Sequence, residues 1–272
     1  MRAIVFFFAI CLSQTLLSQT RKLYAEFTVP FNFGIAYIKG TQNESPASFL
    51  QNNTKKNSGM WQPIKLELVW KEQLSAILQY KVISFNSKNE RVLSDLADQN
   101  PTYFIQHQSK HENSMSPAPW ATRFELVQYG LGYQKKIGDN HYLQFAGYLN
   151  SGTATLDSID FSMKPLSSND YFIREYKFDD AKCKGFSTQV AYKIVAETEN
   201  SANQKPVYFI ASAGLEYFHW KSTSRGSFND FYPETNEYSS RQFITTRTFN
   251  GIQLFASIGV CIARNKRTTQ KD

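Results

Sequence analysis

Cysteine is scarce in this chain, with three residues among 272. Cys11 lies in an apolar stretch at the start, so the body of the protein has only Cys183 and Cys261. Secreted domains that depend on disulfides normally carry more cysteines than this. The scarcity excludes a cystine framework as the main source of stability.

Long apolar runs and chemical motifs are also missing. No run approaches the roughly 18 apolar residues that a membrane-spanning helix needs. The sequence contains no phosphate-binding glycine-rich loop, no CxxC and no HExxH. We therefore expect no cofactor and no metal site, and no catalytic motif stands out.

Acidic residues are fewer than basic ones, which gives a formal net charge of +7. Much of the excess lies near the two ends, at Arg21 and Lys22 and within residues 264–271. The chain between them is nearly neutral. A continuous basic surface is absent from the pattern, so we expect no nucleic-acid partner.

The first 18 residues have the layout of a secretory signal peptide. Arg2 precedes the apolar stretch 3–12, and small or polar residues follow. This stretch is too short to span a membrane. We expect cleavage between Ser18 and Gln19, which leaves one exported domain, residues 19–272, with a basic tail at 263–272.

Apolar residues recur at every second position through the rest of the chain. In the segment 26–39, EFTVPFNFGIAYIK, the odd-numbered residues from 27 to 37 are apolar and the intervening ones are mostly small or polar. This period is typical of a strand whose two faces meet different surroundings. Seven further segments share it, so we predict eight strands. The other seven are 64–70, 75–85, 125–134, 142–150, 186–194, 207–217 and 251–262.

The connections between these strands alternate in length. Short connections lie at 71–74, 135–140 and 196–205, and long ones lie at 40–62, 86–122, 151–182 and 221–248. In an up-and-down meander, every second connection falls at the same end. Short turns at one end and long loops at the other are typical of outer-membrane barrels. We predict an all-β fold: a closed antiparallel up-and-down transmembrane barrel of eight strands.

A barrel in lipid needs an apolar outer face and a closed sheet without edges. The aromatic belts at the two interfaces would contain Tyr24, Tyr37, Trp70, Tyr80, Tyr129, Tyr133 and Tyr217. Pro30 cannot donate a ladder hydrogen bond, so we expect a bulge near the start of the first strand. A soluble lipocalin-like barrel, with its apolar face inward, is the alternative that alternation alone leaves open.

The strand faces that carry small or polar residues would then line the lumen. Charges inside a barrel must pair or be hydrogen-bonded. We expect a self-neutralising plug rather than a narrow ion path, because eight strands leave little free lumen. The predicted lumen charges are Lys65, Glu67, Lys81, Lys193 and Glu216.

Taken with the signal peptide and the one-sided long loops, these strands resemble the small outer-membrane β-barrel proteins of Gram-negative bacteria. The LLSQT boundary, residues 16–20, is similar to that of Bacteroidota-type barrels, which include PorT-like members, and OmpA-like barrels are a second comparable group. The chain departs from the usual pattern after Ile262, where a polar tail follows instead of a terminal aromatic residue. The resemblance implies a location in the cell outer membrane.

The function expected from these features is non-enzymatic. Outward loops would recognise a ligand or assist a surface or secretion assembly, with outer-membrane lipid around a monomeric barrel. The loop candidates for recognition are Trp61, Tyr103, Trp120, Tyr171, Phe231 and Tyr232. The alternative is a membrane-embedded lipid hydrolase that uses His107 and Ser109 as base and nucleophile.

The two remaining cysteines are expected to stay apart. In the predicted meander, Cys183 enters its strand at the long-loop end, whereas Cys261 lies near the short-turn end. A barrel about 25 Å tall separates these ends, and a disulfide requires Cα atoms within about 7 Å. We predict that Cys183 and Cys261 form no disulfide.

Overall fold

The computed structural model describes residues 23–42, 53–57, 60–86, 97, 100–107, 121–156, 158–197 and 207–262. The predicted signal peptide and the basic tail lie outside these ranges. Within them, no helix is long and apolar enough to cross a membrane. The described strands are β1 (Leu23–Gln42), β2 (Asn53–Asn57), β3 (Met60–Trp61), β4 (Ile64–Trp70), β5 (Leu74–Asn86), β6 (Tyr103–His107), β7 (Ala121–Lys136), β8 (His141–Leu156), β9 (Ile159–Pro165), β10 (Phe172–Phe178), β11 (Ala181–Glu197), β12 (Tyr208–Tyr232) and β13 (Glu237–Ile262).

Eight of these strands form a closed ring. Each pairs antiparallel with the next ring strand along the chain, and β1 pairs with β13 to close the circle. The ring order is β1, β4, β5, β7, β8, β11, β12 and β13. All eight predicted strands belong to it, so the prediction of an up-and-down barrel is confirmed.

The register shows how the ring closes. Following Cα partners round the ring from Ala25 leads through Leu68, Ala76 and the later strands back to β1 at Ile35, ten residues further on. A stagger of this size over eight strands corresponds to a strand tilt of roughly 40°. The backbone then lies about 8 Å from the barrel axis, which leaves room inside for side chains and little else.

Apolar side chains cover the outside of the ring, and polar ones line the inside. On β1, Phe33 and Ile35 are half exposed, whereas Glu26 and Asn32 are 1% exposed. This sidedness is the reverse of a lipocalin-like barrel, so that alternative is wrong. The exposed apolar side chains of the ring include Val29, Phe33, Ile35, Ile64, Trp70, Leu74, Leu78, Tyr80, Val127, Tyr129, Leu131, Tyr133, Phe145, Leu149, Phe186, Val190, Tyr192, Ile194, Phe209, Leu215, Tyr217, Ile252, Leu254, Ile258 and Ile262.

One of the predicted belt residues lies inside the barrel instead. Tyr24 occupies an even position on β1, is 3% exposed, and its hydroxyl accepts a hydrogen bond from Gln134 Nε2 at 3.0 Å. The side chain of Tyr37 lies outside the described residues. The other five belt residues are exposed on the outer face.

The strand next to β1 is interrupted twice. Pairing with β1 passes from β4 to β3 to β2, and the register shifts by one residue at each step. These shifts are β-bulges. The Gln62 backbone N–H donates to the Pro30 carbonyl at 2.6 Å, and its side-chain amide exchanges two hydrogen bonds with the backbone of Val82. The bulge expected near Pro30 therefore lies on the neighbouring strand, where Gln62 bridges β1 and β5.

Two of the predicted long loops are largely strand. Residues 151–182 continue β8 and add β9 and β10, and residues 221–248 form the upper part of the β12–β13 hairpin. Beyond the ring, β12 pairs with β10, β10 with β9, and β9 with β6. We call this extension, built from β6, β9, β10 and the upper β12 and β13, the outer sheet.

The two cysteines are free, as predicted. Cys183 packs among buried residues at the long-loop end, with Phe124 and Trp220. Cys261 packs at the short-turn end, with Tyr24 and Val69. The separation follows from their strand positions.

Candidate functional site: the lumen and the outer sheet

A lysine and a glutamate form a bar across the middle of the lumen. Lys81 lies on β5 and Glu216 on β12, which are on opposite sides of the ring. The Lys81 ammonium donates to both carboxylate oxygens of Glu216, at 2.8 and 2.7 Å. Gln128 and Gln253 also donate to this carboxylate, at 3.2 and 2.7 Å. Both charges are buried, and Glu216 is hydrogen-bonded from three strands.

A second bar lies nearer the short-turn end. The Lys193 ammonium donates to both oxygens of Glu26 at 2.7 Å and to Gln134 Oε1 at 2.6 Å. Lys193 is on β11 and Glu26 on β1, so this pair also reaches across the lumen. Glu26 belongs to the polar face of the first strand, but the set of lumen charges expected from the sequence omitted it.

The third pair is on one strand. Lys65 and Glu67 both belong to β4, with their charged atoms 3.3 Å apart, and Gln144 Nε2 donates to Glu67 Oε1 at 2.5 Å. The structure therefore places all five predicted lumen charges inside the barrel, together with Glu26. We call these six residues the polar layer. Its three lysines balance its three glutamates, so the layer has no formal net charge.

An aromatic layer lies above the polar layer, toward the long-loop end. Phe218 stacks on Trp220 with centroids 4.2 Å apart, and Phe124 meets Phe249 edge to face at 4.7 Å. β7 and β13, which carry Phe124 and Phe249, lie on opposite sides of the ring. The layer consists of Phe85, Phe124, Phe218, Trp220 and Phe249, all at 0% exposure.

One glycine makes the aromatic layer possible. A Cβ atom at Gly251 would lie 2.2 Å from Phe218 Cζ, which is closer than atoms can approach. The glycine therefore leaves the space that the Phe218 ring occupies. The sequence signal for this layer was a pair of aromatic residues, Phe218 and Trp220, at even positions where the preceding part of β12 carries small or polar residues.

The short-turn end is also closed by side chains. Tyr24, Val69, Tyr142, Val195 and Tyr208 pack together there and are buried. The lumen thus has an apolar floor, a polar layer of paired charges and an aromatic layer. Chemically, this arrangement joins opposite strands across the lumen through ion pairs and ring contacts.

The outer sheet has its own apolar core and one strong ion pair. Arg174 and Asp230 are Cα partners, and Nε and Nη2 of Arg174 donate to the two Asp230 oxygens at 2.6 and 2.7 Å. Burial alone would lower the pKa of Arg174, but the hydrogen bonds and charge of Asp230, together with Tyr176, outweigh it and raise the pKa. The guanidinium lies 4.8 Å from the Phe228 ring. The core contains Phe161, Met163, Phe172, Tyr176, Phe228 and Phe243.

The predicted recognition residues are divided between this core and its surface. Tyr103 meets Phe172 edge to face and packs against the core. Phe231 stacks on Tyr238 at 4.6 Å, and Tyr171 and Tyr232 are exposed. Trp120 and the side chain of Trp61 lie outside the described residues. Tyr238, 74% exposed, is a surface aromatic residue that the sequence prediction missed.

The hydrolase alternative involves residues beyond the described part of the chain. His107 ends β6, but neither its side chain nor Ser109 is described. Among the described residues, no group of three or more His, Cys, Asp or Glu side chains could hold a metal ion. The hydrolase with His107 as base and Ser109 as nucleophile therefore remains a hypothesis.

Comparisons with known proteins return barrels of the outer membrane. No protein-family model and no curated protein matches the chain. Among solved structures, a major outer membrane protein of Thermus thermophilus matches with 9% identity and a TM-score of 0.36, over 86% of this chain and 98% of that one. AlkL in lipid bilayers matches with 10% identity and a TM-score of 0.32, over 91% and 93% of the two chains. The outer membrane protease OmpT of Escherichia coli matches with 9% identity and a TM-score of 0.26, over 87% and 96%.

Similarity at this level carries no argument about activity. The structure itself has the features of an outer-membrane β-barrel: a closed ring, an apolar outer face and strand extensions at one end only. This architecture places the chain in the cell outer membrane.

Proposed function

We propose that this protein is a non-enzymatic, monomeric outer-membrane barrel that presents a recognition surface outside the cell and conducts nothing through its lumen. The observation that carries the proposal is the Lys81–Glu216 bar beneath the aromatic layer. Together they cross the lumen from opposite strands. A conducting pore would have to break a buried ion pair and displace stacked rings.

The outer sheet supports the recognition part of the proposal. The outer sheet extends the barrel wall away from the membrane. Its apolar core and the Arg174–Asp230 ion pair hold the strands in place, so the sheet offers a rigid base for surface side chains. Tyr171 and Tyr238 are exposed on it, and tyrosine is enriched where proteins bind one another. The partner would be a ligand at the cell surface or a component of a surface or secretion assembly. A place among the Bacteroidota-type barrels remains part of the proposal, supported by the LLSQT boundary.

The conduction claim is tested in planar lipid bilayers. We expect no current steps from the purified protein under an applied voltage, because the lumen is filled. A general porin inserted in the same bilayers shows that steps can be detected. Stable, reproducible current steps from the wild-type barrel would contradict the proposal.

The recognition claim is tested by crosslinking on intact cells, followed by identification of the captured molecule. Tyr171→Ser with Tyr238→Ser should lose a partner that the wild type captures. The matched control is Tyr133→Ser, an exposed tyrosine near the short-turn end of β7. Equal capture by all three proteins would rule out the outer sheet as the recognition surface.

A further inference from the structure

Four basic side chains lie together on the outer face of two paired strands. Lys182 and Lys184 are on β11, and Lys221 and Arg225 are on β12. All four are exposed, and Lys184 and Lys221 are Cα partners. We call this group the basic rim.

The basic rim places two like charges directly opposite each other, at Lys184 and Lys221. Like charges placed directly opposite on paired strands destabilise a sheet. Within the described ranges, none of the four forms an ion pair. Asp180, two residues from Lys182, accepts a hydrogen bond from Thr155 at 2.7 Å. An external anion would relieve the repulsion between Lys184 and Lys221.

Hydroxyl groups surround the basic rim on the same outer face. Thr223 is the Cα partner of Lys182, and Thr248 is that of Lys221. Ser151 and Thr153 on β8 are the partners of Lys184 and Lys182. Ammonium groups and hydroxyls together are the donors that bind phosphate oxygens.

The position of the rim along the barrel identifies the kind of anion. Phe186, two residues from Lys184, is exposed in the apolar band, and its partner Leu149 is 57% exposed. Phe186 stacks on His219, two residues from Lys221. The rim thus lies one step beyond the apolar band, at the long-loop end, which is where lipid headgroups meet the barrel.

We propose that the basic rim binds the phosphate groups of an outer-leaflet lipid, whose acyl chains lie along Phe186 and Leu149. The inference rests on the outer-membrane location, and it goes beyond the proposed recognition function. A free phosphate ion would use the basic rim alone, whereas a phospholipid or phosphorylated glycolipid uses the basic rim and the adjacent apolar band. This continuity favours the lipid.

The test counts lipids bound to the folded full chain in detergent micelles by native mass spectrometry. The probes are bisphosphorylated lipid A, the same lipid without its phosphates, and inorganic phosphate alone. EDTA is present so that no divalent cation links the lipid phosphates to the protein. We expect retention of the phosphorylated lipid only. Lys184→Ser with Lys221→Thr should weaken its apparent affinity about 30-fold, because each cation near an anionic headgroup contributes.

The matched control is Lys135→Ser, an exposed lysine on the outer face at the short-turn end of β7. It should bind the lipid like the wild type, and heat-modifiable gel mobility reports that each variant is folded. If the double variant does not fold, Arg225→Gln replaces it, with an expected loss of about fivefold. Equal binding of the dephosphorylated lipid, or an unchanged affinity in the folded rim variant, would overturn the proposal. Neither outcome depends on a protein partner or on the lumen, so the proposed function is tested separately.

Discussion

Lys81→Met should lower the free energy of unfolding by about 3–5 kcal/mol. Lys81 is 0% exposed, and its ammonium supplies two of the four hydrogen bonds that the Glu216 carboxylate accepts. Methionine has a similar shape but no charge, so the change leaves a buried carboxylate with only Gln128 and Gln253 as donors. Urea unfolding in lipid vesicles, followed by tryptophan fluorescence, measures the loss.

The double variant Lys81→Met with Glu216→Leu separates the charge effect from packing. Removing both partners of a buried ion pair is often close to neutral, because no charge is left uncompensated. We therefore expect the double variant to recover most of the stability lost in Lys81→Met. A double variant that is less stable than either single variant would show that packing, rather than the ion pair, dominates at this position.

Ile258→Arg should destabilise the folded barrel in a bilayer by about 2–4 kcal/mol. Ile258 is 61% exposed on the outer face of β13, and its Cα partners are Val29 and Ala211. Arginine at this position would place a charge inside the apolar band, where only lipid surrounds it. The measurement is again the free energy of unfolding in vesicles.

Gln242→Arg is the matched control for this prediction. Gln242 is exposed on the same face of the same strand, but in the outer sheet beyond the apolar band. Because water surrounds it there, arginine should change the stability by less than about 0.5 kcal/mol. Similar losses in the two variants would indicate that the outer face of the ring is not in lipid.

The sequence was sufficient to predict the ring because one physical contrast governs it. Lipid outside and a crowded polar lumen inside impose a period of two, and each of the eight strands carries it. The period also determines sidedness, since Phe33 and Asn32 are neighbours on opposite faces. The closing stagger was not predictable, because it depends on pairing between strands far apart in the chain.

The outer sheet was not predicted because its strands change surroundings along their length. In the membrane part of β12, apolar residues such as Leu215 face outward. Beyond the membrane, water surrounds the strand, and the apolar residues move to the inner face, as at Phe228. Between these parts, at 217–220, apolar or aromatic side chains lie on both faces. The inversion interrupts the period of two, so residues 221–248 resembled a loop.

The sequence could predict that charged residues in the lumen form pairs, but it could not predict which residues pair with each other. Lys81 and Glu216 are 135 residues apart, and they meet only because β5 and β12 are opposite in the ring. Glu26 was visible as a polar residue, but its role depends on Lys193 approaching from across the lumen. The surface aromatic residues of the outer sheet were only partly predictable. Tyr171 was among the candidates from the sequence, whereas Tyr238 lies on a part of β13 that the sequence did not reveal as strand.

The membrane barrel is tested most directly by measuring whether lipid or water surrounds the outer face of the ring. Spin labels on single cysteines at Leu131, Val190, Leu215 and Leu254, in a chain with its native cysteines replaced by alanine, sample four strands of the outer face. In vesicles, all four should collide more often with oxygen, which dissolves in lipid, than with a water-soluble nickel complex. A label at Gln242 should show the opposite preference. Preferential collision with the nickel complex at the four ring positions would contradict the membrane barrel.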